Sequence, residues 1–258
     1  MHSPYILALA KRQLADYDRH RPGSIFESGG VSLSIAQAYE LQLAVAKLRE
    51  KRGEAIVGYK IGCVSQAIRR QLGLDRPVFG HVFATEIYLT GAVLDSALFE
   101  GLSIEGELAA RVGEHISDIA SIFPVIELHN YIVRSPQLTA QELIANNAFH
   151  AGVVLPEQEH PIHDLTKALG VPISVFRNQE LLGNGPAVSS LEEILDNLRE
   201  LTAHLAAFDA RLKMRHLILT GSRLPLYRVA AGDRIEVRWG RLGEVSTSTE
   251  GPSRTHRY

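Results

Sequence analysis

The chain has 258 residues, 45% hydrophobic and 22% charged, an ordinary soluble globular composition with room for one large domain or two small ones. Its net charge of −2 gives no basic field to attract nucleic acid or an anionic membrane, and it has no apolar run of about 18 residues for a transmembrane helix. Cys63 is the single cysteine, which excludes an internal disulfide and makes a reducing cytoplasm the expected compartment.

The opening MHSPYILALAKRQLADYDRHRP turns charged within eleven residues and reads as a helix rather than a signal peptide. That helix covers residues 4–19 and ends at the breaker cluster Arg21-Pro22-Gly23. Ser34 to Gln37 has the form of a capping box. The AYELQLAVAKLREKRG stretch after it places Ala38, Leu41, Ala44, Val45 and Leu48 at helical spacing, with Gly53 as a C-cap. From Ala55 the texture changes to short β-like runs broken by glycine: AIVGYKIGCV, PVFGHVF, EIYLTGAVL and IEGELAARV. SIFPVIELHNYIV, FHAGVVL and PISVFRNQELLG continue the pattern, with NQELLGNG as a hairpin turn. Ser190 to Glu193 is a second capping box, and apolar positions 194, 195, 198, 201, 205 and 208 predict a long amphipathic helix. HLILTGSRLP and DRIEVRWG close the chain as strands, and no fixed repeat is present. The expectation is a helical portion over residues 1–55 and a β-rich portion over 56–258.

Nucleotide-loop, HExxH and CxxC motifs are absent, and Gly221-Ser222 lacks the second half of a nucleophile elbow. The lead is IEGELAARV. In a strand, Glu105 and Glu107 point to one face, and two like charges there need a cationic partner. In a helix they would diverge by about 200°. Two readings of the strand pair stay open: a solvated face, or ligation of a hard divalent cation such as Mg²⁺. Glu127, an acid inside the apolar run FPVIELHNY, is the candidate third ligand. Lys60, among glycines and apolar residues, either snorkels outward or sits near the acids to polarise a carbonyl or move a proton. Among eleven histidines, His81, His129 and His150 lie in β-like runs.

GYKIG (58–62), LGLDRPVFG (72–80), IEGELA (104–109), PVIEL (124–128), NNAFHAG (146–152) and ILTGS (218–222) occur in this order, with the early AYELQ helix before them and the long helix before the last. Together they resemble the 2-keto-4-pentenoate hydratase and 4-oxalocrotonate decarboxylase group of the fumarylacetoacetate hydrolase superfamily, over nearly the whole chain. The resemblance implies an α+β fold, a β-rich fumarylacetoacetase C-terminal-like arrangement with mixed sheets and a helical N-terminal portion. It implies Mg²⁺ or Mn²⁺ on Glu105, Glu107 and Glu127, a catalytic Lys60, and Thr220, Gly221 and Ser222 lining the substrate site. His81, Asn147 and Ser222 are the further expected substrate contacts, with His81 and Ser222 also expected to act in catalysis. The group commonly forms homo-oligomers.

Departures fall around the metal positions. Val78 stands where hydratases of the group often carry an acid, Asn130 replaces an Asp in a segment that also lacks its Arg, and Asn146 and Phe149 replace an acid and a hydroxyl. The chemistry implied is enolate chemistry on a 2-oxo acid. The expected activity is hydration of an unsaturated 2-oxo acid such as 2-hydroxypenta-2,4-dienoate. The alternatives are decarboxylation of the 4-oxalocrotonate type, or a catalytically altered 2-oxo-acid-binding homologue; acylpyruvate hydrolysis suits the chain order less well.

Overall fold

Residues 3–114, 118–162, 171–186 and 190–251 are described by a computed structural model; the outermost residues of the two expected portions lie outside the described residues. Helix α1 (Pro4–Asp18) starts where the Ser3 side chain accepts the Ile6 N–H and Pro4 opens the first turn. Helix α2 (Ile35–Lys51) starts at the expected capping box, with Ser34 and Gln37 satisfying each other's backbone N–H groups. Ile6, Ala10, Ala38, Leu41 and Ala44 bury their apolar faces against Val78, Ile144 and Phe149, so the helical layer packs directly on the β-rich part.

That part begins with β1 (Ile56–Gly62), a short helix α3 (Gln66–Leu72), β2 (Val78–Phe83), β3 (Ile87–Leu89) and β4 (Val93–Asp95). Two long strands follow, β5 (Leu102–Val112) and β6 (Ile119–Asn130), then α4 (Ala140–Ala145), β7 (His150–Leu155) and β8 (His160–Pro161). The hairpin β9 (Pro172–Arg177) and β10 (Glu180–Pro186) leads to α5 (Leu191–Ala206). β11 (Leu217–Leu219), β12 (Tyr227–Arg228), β13 (Arg234–Trp239) and β14 (Glu244–Glu250) finish the chain.

One mixed sheet has the order β2-β1-β11-β5-β6-β7-β3, and a second runs β10-β9-β13-β14-β4. Period-two alternation then sorts the residues of β5. Ile104, Leu108 and Ala110 turn inward to a core shared with Val175, Ile235 and Val237 of the second sheet. Gly106 lets the sheets approach, because a Cβ there would lie 2.6 Å from Val175 Cγ2. Glu105 and Glu107 therefore look out of the opposite face. Ile194, Leu198, Leu201 and Leu205 of α5 seal the inner core next to Ile61 and Ile218, each such burial contributing about 1.5–3 kcal/mol.

Three local expectations shift. EIYLTGAVL is two strands in different sheets, because Thr90-Gly91 turns the chain with Gly91 at φ +84°. The hairpin turn is confined to Asn178-Gln179, both left-handed, and the rest of NQELLGNG is the returning strand β10. Helices α3 and α4 and strand β14 are additions to the sequence reading.

Candidate metal centre

Glu105 and Glu127 are direct Cα partners across the antiparallel β5–β6 ladder, and Ser103 faces His129 in the same register. Period two then brings Glu107 and His129 onto the face that carries Glu105 and Glu127. Glu107, Glu127 and His129 are buried, whereas the Glu105 side chain keeps 22% of its surface. One ligand atom each from Glu105, Glu127 and His129 lies within 4.8 Å of the others.

The two oxygens of Glu127 have separate surroundings. Oε1 lies 3.0 Å from the Lys60 ammonium and 2.7 Å from His150 Nδ1. Oε2 faces His129 Nε2 at 3.2 Å, and that nitrogen is 3.5 Å from Glu105 Oε2. Despite those distances, His129 Nε2 is buried without a hydrogen bond. Glu107 Oε2 accepts the Gly221 N–H at 2.5 Å, while its Oε1 is likewise buried without a partner. Two unsatisfied buried ligand atoms among three carboxylates fit a divalent cation, which would satisfy both and offset the clustered charge.

The electrostatics follow from the same packing. Burial, then the Glu127 and Glu105 charges, raise Glu107 well above the ordinary carboxylate range. Burial would raise Glu127 too, but the Lys60 ammonium and then His129 hold it well below that range. Burial opposes charge on Lys60, yet Glu127, Glu105 and Glu107 together outweigh it and keep the ammonium protonated. For His129, burial favours the neutral ring and the Glu127 charge outweighs it, so its pKa is raised.

Lys60, Glu105, His129 and Ser222 line a cleft of about 1020 Å³. Lys60 reaches the acids because β1 pairs in parallel with β11, which separates it from β5. Its Nζ also lies 3.4 Å from Ala148 O. That carbonyl sits in three consecutive left-handed residues, Asn147, Ala148 and Phe149, a conformation that costs Ala148 and Phe149 about 1–2 kcal/mol each. Past β11, the Thr220 hydroxyl donates to Leu108 O at 2.8 Å, and Gly221 turns at φ +92° to give its N–H to Glu107. A Cβ at Gly221 would stand 2.5 Å from Val64 Cγ1. Ser222 Oγ lies 3.1 Å from Gly106 O and accepts the Leu224 N–H at 3.0 Å.

Three expected site residues, His81, Asn147 and Thr220, lie elsewhere. His81 pairs with Tyr59, one position off the Lys60–Gly80 pair, so it faces the opposite side of the β1–β2 ladder from Lys60. It lines a separate cavity of about 290 Å³, where burial lowers its pKa to about 4. Asn147 lines that cavity too, and its amide is used by the His81 backbone, accepting its N–H at 2.7 Å and donating to its carbonyl at 2.8 Å. His81 and Asn147 are thus outside the acid cleft. The other expected site residues, Lys60, Glu105, Glu107, Glu127, Gly221 and Ser222, come together, whereas the Thr220 side chain lies on the inner core side beside Ile61, Ile194 and Ile218 with its hydroxyl bonded to Leu108 O.

His129 and His150 join the acids although the sequence motifs assign neither a place among the ligands. His129 carried a usable signal, since it lies two residues after Glu127 in the same strand. His150 carried none, because its approach to Glu127 depends on the β6–β7 pairing.

No family model matches the chain. Over 257 residues, 93% of this chain and 95% of the relative, it is 25% identical to a 4-oxalocrotonate decarboxylase of Pseudomonas putida. It is 27% identical to a 2-keto-4-pentenoate hydratase of Burkholderia vietnamiensis, over 83% of this chain and 86% of the relative. The solved structure of 4-oxalocrotonate decarboxylase from Pseudomonas putida G7, complexed with magnesium and adipate, superposes with a TM-score of 0.83 at 24% identity, over 96% and 98% of the two chains. The resemblance carried by the ordered motifs and the α+β architecture with mixed sheets are both borne out.

Proposed function

We propose that the chain is a metal-dependent lyase of unsaturated 2-oxo acids, with hydration of a 2-hydroxypenta-2,4-dienoate-like substrate as the principal reading. The observation that carries it is the convergence of Glu105, Glu127 and His129 beside the Lys60 ammonium at one cleft. Both named relatives, a hydratase and a decarboxylase, are lyases.

Glu105 and Glu127 would hold the cation, with the free Glu107 Oε1 beside them. Bound there, a divalent cation supplies the Lewis acidity that lowers the cost of enolising a 2-oxo acid. Lys60 brings a charged N–H donor to oxygen atoms that gain charge in that step, and Glu127 with Ala148 O fixes its direction. Glu107 holds the Gly221 turn, which carries Ser222 to the cleft wall. Hydration requires a dienol to ketonise and water to add across the remaining double bond. In decarboxylation, the bond to a carboxylate breaks, its electrons remain on the enolate carbon framework, and CO₂ leaves.

Decarboxylation has its own supporting observation. Arg223 and Arg228 stand on the cleft wall. Arg223 is held by Glu193 at 2.6 and 2.7 Å, whereas the Arg228 side chain has no acidic partner among the described residues and can receive a second substrate carboxylate.

The reading includes a cytoplasmic protein, which the single free thiol Cys63 supports, and a homo-oligomer, which the resemblance implies; no helix among the described residues is long and apolar enough to cross a membrane. The test is turnover of 2-hydroxypenta-2,4-dienoate and 4-oxalocrotonate by cation-loaded protein, with Glu105→Gln as control. Undiminished activity in metal-stripped protein overturns the reading, and tight binding of both acids without consumption replaces it with a 2-oxo-acid-binding homologue.

A further inference from the structure

We infer that the centre is a mixed nitrogen and oxygen site in which His129 Nε2 is a direct ligand, and that it therefore favours a later divalent transition metal such as Co²⁺ over Mg²⁺. The inference deepens the proposed function, since it concerns the cation of the same site.

Three observations carry it. First, His129 Nε2 is buried, lies 3.2 Å from Glu127 Oε2 and 3.5 Å from Glu105 Oε2, and makes a hydrogen bond with neither. A buried ring nitrogen beside two carboxylate oxygens, yet misaligned to donate to either, is arranged to share a third body with them. Second, Glu127 Oε1 is occupied by Lys60 and His150, which leaves Oε2, the oxygen on the His129 side, for a cation. Third, His129 and Glu127 are two apart on one strand and Glu105 faces Glu127, so rigid β pairing fixes all three ligands. Glu107 has its Oε2 held by the Gly221 N–H, which leaves its buried Oε1 as the free oxygen beside this set.

Ligand chemistry then ranks the metals. Mg²⁺ takes hard oxygen ligands in a near-ideal octahedron and keeps several waters, whereas imidazole suits later first-row ions. Replacing one oxygen by a nitrogen tilts the site away from Mg²⁺.

The deciding measurement is the electron spin-echo modulation of the full chain loaded with Mn²⁺, recorded without substrate. The expected spectrum shows ¹⁴N modulation from one imidazole, which disappears in His129→Phe. In calorimetric titrations with the metals alone, His129→Phe should lose at least roughly tenfold in Co²⁺ affinity, the lower bound for changes even outside the inner sphere, and much less in Mg²⁺ affinity. His129→Gln, which offers an oxygen, should bind Mg²⁺ as well as the parent. Absence of ¹⁴N modulation in the parent, its survival in His129→Phe, or a parallel loss of Mg²⁺ and Co²⁺ affinity overturns the inference. The parent spectrum needs no folded variant. Because it is read without turnover, a nitrogen-ligated cation in a chain that consumes no 2-oxo acid would leave this inference standing while the functional reading fell.

Discussion

Glu105 and Glu127 face each other as Cα partners across β5 and β6, and like charges placed so oppose the pairing of their strands. Lys60 offsets this mainly at Glu127, where its ammonium lies 3.0 Å from Oε1. The metal-free protein therefore carries a cost that a bound cation removes. Thermal unfolding with and without chelator should show stabilisation by Mn²⁺ or Mg²⁺, amounting to about 2.7 kcal/mol at a hundred times Kd. Glu105→Gln should unfold later than the parent in chelator, by about 0.2–1 kcal/mol, and respond weakly to cation. A variant less stable in chelator, yet still fully responsive, would contradict this account.

The acid pair was legible because strand periodicity fixes which residues share a face. The same rule extends to His129, two residues past Glu127. His81 and Asn147 show where motif likeness stops: it places a residue along the chain, but one step from Gly80 to His81 reverses the face. Asn147 is diverted by its two hydrogen bonds to the His81 backbone. Helices with strong caps, such as α2 at Ser34, were readable from local sequence. Strand β14 was not, because EVSTSTE has few apolar side chains and takes its order from pairing with β13 and β4.

Arg49 is nearly buried and joins Glu86 at 2.7 Å, Glu54 at 2.5 Å and the Tyr17 hydroxyl at 2.9 Å, with its guanidinium 3.6 Å from the Phe83 ring centroid. Removing it leaves Glu86, whose side chain is 4% exposed, without its cation. Arg49→Ala should lower unfolding stability by about 3–5 kcal/mol. Arg49→Lys should recover little, because an ammonium cannot reproduce a fork directed at three partners. The more exposed Arg199→Ala, which loses contacts to Asp196 and Glu192, should cost less than about 1 kcal/mol. Equal urea midpoints for the Arg49 and Arg199 variants would refute the assignment.

His81, His204 and His216 are each lowered from 6.5 to about 4, chiefly by burial. The fold favours their neutral forms, so above pH 6.5 they add no pH dependence. Between pH 6.5 and 4 the unfolded chain binds these protons and the folded chain does not, so stability falls as pH drops through that window. The urea midpoint should decline with acid across that range. In His204→Leu, which keeps an apolar group against Tyr39, Phe79 and Phe208, the decline should be shallower by about one proton. An unchanged slope in that variant would remove His204 from the explanation.

The cleft wall separates the two lyase readings by charge. A monocarboxylic dienoate has one acid group, which a cation held by Glu105 and Glu127 would take. A dicarboxylic 2-oxo acid has a second, and Arg228 is the cleft cation without an acidic partner among the described residues. A charge-assisted hydrogen bond contributes about 1.5–3 kcal/mol, and solvent exposure at Arg228 favours the lower end. Arg228→Met should therefore raise KM for 4-oxalocrotonate about tenfold, with kcat unchanged or raised, because the carboxylate held there leaves as neutral CO₂, and with 2-hydroxypenta-2,4-dienoate kinetics unaffected. A substrate-independent loss would make Arg228 structural, whereas the selective loss would identify the residue that reads the far end of a dicarboxylate.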